Sequence, residues 1–67
     1  MLQISLAAAR VNAGMTQEAV ARELHISKQT IVNWEKGKAI PSFASLCAMA
    51  DLYNIPIDNI FLPKQFT

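Results

Sequence analysis

Four polar side chains crowd one short stretch of the chain: Lys28, Gln29, Thr30 and Asn33. Their spacing puts them around the N-terminal end of a helix, on its open side. Their chemistry is paired hydrogen bonding. A glutamine carboxamide donates and accepts side by side and so suits adenine. A lysine ammonium reaches guanine acceptors, and threonine offers a hydroxyl or a methyl. Taken alone, the same four residues also make an ordinary solvated helix face. Three of the six basic residues, Lys28, Lys36 and Lys38, fall in this part of the chain, and only Glu35 opposes them there. A local basic face can act as an electrostatic footprint even though the net charge is only +1. Ser27, Lys36 and Lys38 can reach phosphates. Such contacts position a protein and make binding depend on salt, without reading sequence.

These side chains need a helix to carry them and a second element to brace it. The stretch Thr16 to Gly37, TQEAVARELHISKQTIVNWEKG, reads as two short helices joined by a tight turn. Thr16 is a suitable N-cap, and Glu18 favours the positive end of the helix dipole. Val20, Ala21 and Leu24 form an apolar stripe. His25-Ile26-Ser27 makes the turn, and Ser27 can cap the next helix, expected from Lys28 to about Lys36 with Ile31 and Trp34 facing inward. Gly37 stops it. This is the layout of a helix-turn-helix, in which the second helix enters the major groove of DNA.

Three more helices are expected around this pair. Leu6, Ala9, Arg10 and Ala13 share a face, giving a first helix from about Ile4 to Ala13 that ends at Gly14. Pro41 and Ser42 open a fourth, with Phe43, Leu46, Cys47, Met49, Ala50 and Tyr53 on its apolar face. Pro56 starts a short fifth, through Asp58 to Phe61, and Pro63 closes it. No alternating strand of useful length, repeat or linker stands out. The expectation is an all-α, compact five-helix bundle: a single domain over residues 1–67, with a core from 4 to 62 and a loose tail from 63 to 67.

Sixty-seven residues, 52% of them apolar, fit one packed helical domain that is only marginally stable alone. The lone Cys47 rules out an internal disulfide; it reads as a small core hydrophobe, with a reactive thiol as the lesser alternative. The N-terminus lacks the pattern of a signal peptide, and no apolar run approaches the ~20 residues that span a bilayer. The expected location is cytoplasmic. One His and one Cys do not make a usual metal site. The five carboxylates are scattered, and neither a nucleophile-base pair nor a phosphate-cradling glycine loop is present, so an enzyme is not expected. No cofactor or small-molecule ligand is evident.

The sequence resembles the Cro/C1-type helix-turn-helix family of phage repressors, Cro proteins and small bacterial regulators. Leu6, Arg10, Gly14, Met15-Thr16-Gln17, Ala21, Leu24, Ile26-Ser27, Ile31, Trp34-Glu35, Gly37, Pro41, Leu46, Ala50 and Ile55 carry the resemblance, which covers roughly Leu6 to Phe61. It implies that Ala21 is where the two central helices approach most closely. It implies that Lys28, Gln29, Thr30 and Asn33 are the base-reading positions, and that Gln17 bonds a backbone phosphate from a helix start. It also implies a largely buried salt bridge between Arg10 and Glu35, although Arg10 could touch phosphate as well. His25 departs from the family, which usually has Gly there because the turn wants a left-handed backbone. A solvent-exposed turn residue is the plainer role for His25, and a pH sensor the other.

Leu52, Ile57, Phe61, Leu62 and Phe66 are more apolar than so short a monomer needs. They either cap the small core or form a partner surface. Members of the family pair mainly through this segment, so the resemblance implies a homodimer on a pseudo-palindromic operator of double-stranded DNA. The expected function is sequence-specific regulation of transcription by a dimeric Cro-like or stand-alone repressor. The other class is a protein-interaction module, an antitoxin or co-regulator for which DNA is secondary.

Overall fold

A computed structural model describes residues 3–61, the last of them by its backbone alone. In chain order the elements are β1 (Ile4–Ser5), α1 (Leu6–Asn12), α2 (Gln17–Leu24), α3 (Lys28–Lys36), α4 (Phe43–Tyr53), a 3-10 turn (Ile57–Asn59) and β2 (Ile60–Phe61). Among the described residues the fold is mostly helical, with four α-helices rather than the five expected.

One capping grammar sets all four helices. Ser5, Thr16, Ser27 and Ser42 are the N-caps, and each hydroxyl accepts the backbone N–H three residues on. That bond satisfies one of the donors a helix start leaves orphaned. Each helix then ends on a residue with positive φ: Gly14 (73°), His25 (58°), Gly37 (80°) and Asn54 (57°). Past each, the following N–H turns back to a carbonyl in the last helical turn: Met15 to Arg10, Ile26 to Ala21, Lys38 to Asn33 and Ile55 to Ala50. This is the Schellman closure, which normally tucks an apolar residue under the helix end. Met15, Ile26 and Ile55 fill that role and pack against the core.

The core is where the helices meet. Leu6 and Ala9 of α1, Val20 and Ala21 of α2, Ile31 of α3, and Met49, Ala50 and Tyr53 of α4 are buried, and Ile60 joins them from β2. Leu24 and Trp34 pack at its edge. No polar or charged residue is among the buried ones of the described chain. The α2 and α3 pair is the most extensively packed in the molecule, with the small Ala21 buried on α2 and Ile31 on α3.

The structure corrects the expected ends. The first helix begins at Leu6, because Ile4–Ser5 pairs in parallel with Ile60–Phe61, Ile4 opposite Ile60 and Ser5 opposite Phe61. The expected fifth helix shrinks to one 3-10 turn after Pro56, because the chain must extend at Ile60 to make that pairing. Phe43 was expected on the apolar face of α4 but is 73% exposed. It is the first residue of α4, and helical side chains lean toward the N-terminus, so its ring projects past the end of the core. Cys47 is half-buried. Pro63, Leu62, Phe66 and the expected tail lie outside the described residues.

His25 adopts φ 58° and ψ 43°, the left-handed conformation that the turn requires. Histidine tolerates this region better than β-branched residues do, yet a side chain there is strained. His25→Gly is expected to raise stability by up to about 1 kcal/mol, since relief of strain outweighs the added freedom of the unfolded chain. His25→Val should lower it by about 1 kcal/mol or more. Thermal melts of the two variants beside the parent check the order; a valine variant as stable as the glycine one would contradict it.

Candidate nucleic-acid interface

The side of α3 away from Ile31 faces solvent. Lys28 and Gln29 are exposed at its start, and Thr30 and Asn33 are half-buried. Within this face every polar side chain has a partner. Gln29 Nε2 donates to Asn33 Oδ1 at 3.0 Å. The Gln29 carboxamide keeps its oxygen and one N–H available, the donor-acceptor pair that matches an adenine edge. Ser27 Oγ and Thr30 Oγ1 lie 2.9 Å apart, and Ser27 Oγ also accepts the Thr30 N–H. If the threonine donates between the two hydroxyls, the serine proton stays available for a phosphate. Lys28 Nζ donates to Glu18 Oε2 at 3.0 Å, joining the first turns of α2 and α3.

Gln17, half-buried at the start of α2, is engaged inside the protein: its Nε2 donates to Glu35 Oε1 at 2.9 Å. Its carboxamide oxygen can only accept, so a phosphate would draw on its second N–H. Lys36 and Lys38 are exposed near the far end of α3. Four phosphate candidates thus fall at three places: the start of α2, the cap of α3, and the α3 exit.

Behind this surface, Arg10 Nε donates to Glu35 Oε2 at 2.7 Å, with side chains 15% and 7% exposed. Arg10 Nη2 reaches the other carboxylate oxygen at 3.4 Å, and Nη1 donates to the Met15 carbonyl at 2.9 Å. One guanidinium therefore holds the end of α3 and the loop leaving α1, while Glu35 holds Gln17 of α2. Tyr53 lies near enough to feel these charges. Burial, then the negative charge of Glu35, pushes its hydroxyl up to about 12, so it stays neutral throughout the physiological range.

A helix-turn-helix family model matches residues 6–60. The chain belongs to the Cro/C1-type helix-turn-helix family. An HTH-type transcriptional regulator of Archaeoglobus fulgidus is 38% identical over 53 residues, 79% of this chain and 76% of that protein. Another, from Methanocaldococcus jannaschii, is 40% identical over 48 residues, 72% of this chain and 73% of that protein. The HTH-type transcriptional activator BcrR of Enterococcus faecalis is 33% identical over 56 residues, 84% of this chain. The chain spans 28% of that activator's length. No solved structure matches the chain.

In this helix-turn-helix, α2 and α3 are the two motif helices and His25-Ile26-Ser27 is the turn. The residues expected at a dimer surface are placed less clearly. Leu52 and Ile57 are half-buried against their own core, only the backbone of Phe61 is described, and Leu62 and Phe66 lie outside the described residues. The large apolar side chains exposed among the described residues are instead Val11, Ile40 and Phe43. Sequence reasoning also missed two partnerships, Gln17 with Glu35 and Glu18 with Lys28. The second had a signal, since both residues stand in the first turn of a motif helix. Among the described residues no cluster of His, Cys, Asp and Glu could hold a metal ion, and no helix is long and apolar enough to cross a membrane.

Glu35→Ala would leave the Arg10 guanidinium without its main partner and Gln17 without its acceptor. A loss of about 3 kcal/mol is expected, the cost of removing one member of a mostly buried ion pair. Glu35→Gln, which keeps an acceptor, should lose less. Urea denaturation measures both, and an unchanged midpoint for the alanine variant would show that the pair does not hold the fold.

Proposed function

We propose that this protein binds double-stranded DNA in a sequence-dependent manner and regulates transcription by occupying an operator, with α3 in the major groove. One observation carries the reading. One face of α3 carries Lys28 and Gln29, exposed, with Thr30 and Asn33, half-buried, beside them, while its opposite face is held to the core by Ile31 and the helix end by Glu35. In this reading Gln29 pairs with an adenine edge, Lys28 with guanine acceptors, and Thr30 and Asn33 with neighbouring edges. Gln17, Ser27, Lys36 and Lys38 hold phosphates and set the register.

The finer form of the proposal is a homodimer acting as a Cro-like or stand-alone repressor. Pairing through the segment of Leu52, Ile57, Phe61, Leu62 and Phe66 would set two copies of α3 roughly 34 Å apart, one turn of DNA. A pseudo-palindromic operator is the corresponding partner. The named activity of the E. faecalis relative is activation. The same operator-binding step serves either sign, depending on where the site lies relative to a promoter. A second reading, a protein-interaction module with DNA secondary, draws support from Phe43 and Val11, 73% and 62% exposed.

Band shifts on DNA selected from a random pool separate the readings. Gln29→Ala and Lys28→Ala should each cost about 1–3 kcal/mol on the selected site and relax its sequence, while Lys38→Ala should weaken all sequences alike and lower the salt slope by about one. An absence of DNA binding at low salt would sink the proposal in favour of the protein-interaction module. Sedimentation at micromolar concentration, with and without the selected duplex, tests the pairing. A strictly monomeric species in both cases would remove the dimer and leave a monomeric reader.

A further inference from the structure

The Glu18–Lys28 pair is an odd feature of this surface. It places a carboxylate at the edge of the face that, in the reading above, meets a polyanion. Its oxygen lies 3.0 Å from the lysine ammonium, with the two side chains 58% and 52% exposed. Exposed ion pairs add little to stability, so the fold gives little reason for it. Glu18 also sits in the first turn of α2, where a carboxylate favours the helix dipole. That role, however, needs no contact with α3.

We propose that Glu18 is a positioning residue for DNA specificity: its carboxylate holds the Lys28 ammonium beside the start of α3 and offsets its charge, so that Lys28 engages base acceptors in preference to phosphate. This rests on the DNA-binding reading. A lysine on a flexible stem is a point charge that any nearby phosphate can capture. With Glu18 attached, capture by a phosphate strands a carboxylate next to the DNA backbone, which is unfavourable. A guanine edge, offering O6 and N7, can instead share the ammonium, which has three protons to give. The carboxylate therefore weakens the wrong complexes more than the right one, which is how discrimination against competitors is built. The hydrogen bond from Lys28 also holds the Glu18 carboxyl below its ordinary range, so Glu18 is a carboxylate at neutral pH.

The test compares the wild-type chain, Glu18→Gln, Lys28→Ala and the double variant. Each is titrated across a salt series with two duplexes: one selected from a random pool by the wild-type chain, and a scramble of the same composition. Glu18→Gln is expected to bind the scrambled duplex more tightly, with a salt slope steeper by about one as Lys28 gains a phosphate. Selectivity should fall by about fivefold, the low end of what one good base contact contributes. In the Lys28→Ala background the same change should leave selectivity unaltered. Thermal melting of Glu18→Gln should fall by no more than a few degrees, the loss of one favourable charge at a helix start. Unchanged selectivity and salt slope in Glu18→Gln would overturn the inference while leaving the DNA-binding reading intact. So would a selectivity loss that persists at full size without Lys28, which would mean simple charge repulsion. A wild-type chain that selects no sequence overturns the DNA-binding reading and this inference together.

Discussion

The orientation of α3 depends on one guanidinium. Arg10 ties the carboxylate of Glu35, near the end of α3, to the loop that leaves α1, and Glu35 ties Gln17 at the start of α2. Three helices are thereby referenced to a single polar cluster at the rim of an apolar core. The geometry matters because the hydrophobic effect is non-directional, whereas hydrogen bonds are directional. Ile31 and Ala21, both buried, hold α3 against α2, but apolar burial by itself does not name one partner atom for another. The short, charge-assisted bond between Arg10 and Glu35, 2.7 Å long, does. A helix that must present particular side chains at particular angles gains its aim from this cluster more than from its core.

The exposed face of α3 is already organised before any partner arrives. Gln29 is set by Asn33, Thr30 by Ser27 and Lys28 by Glu18. Side chains with settled rotamers lose less freedom on binding than ones that sample solvent. The same bonds also mean that a partner must match what remains, not what each side chain could offer alone. Gln17 shows the point most clearly. Its carboxamide serves Glu35 first, so a phosphate contact there would draw on a group that also braces the interior.

Much of this arrangement was legible in the residues, and the reason is local chemistry. Thr16, Ser27 and Ser42 announce helix starts through hydroxyls that need a nearby N–H, and Gly14 and Gly37 announce ends that need positive φ. The limits of α3 follow from these alone. His25 was legible too, as the place where the turn demands a conformation its residue adopts only with strain. The rest had no local signature. Two strands of two residues each carry no alternation to detect, and their partners are distant in sequence. Phe43 has the right residue type and period for burial, and only the end of the core decides otherwise. The partners of Gln17 and Glu18 depend on how α2 meets α3, which periodicity does not specify. The share of the molecule that sequence reasoning reached is the share set within a helical turn or two.

The small sheet has a consequence for how the domain comes together. Gln3 Nε2 donates to the Asp58 carbonyl across 55 positions of chain, and β1 and β2 join beside it. Every helix can form and dock through nearer contacts, so the loop-closure entropy of this junction is met only once the helices have already shortened the gap. It is the contact of greatest sequence separation among those described, joining one end of the described chain to the other. The two ends of the described chain are thus fastened to each other and, through Ile60 and Ile4, to the same core that the helices share, so a change at either end is felt at the other.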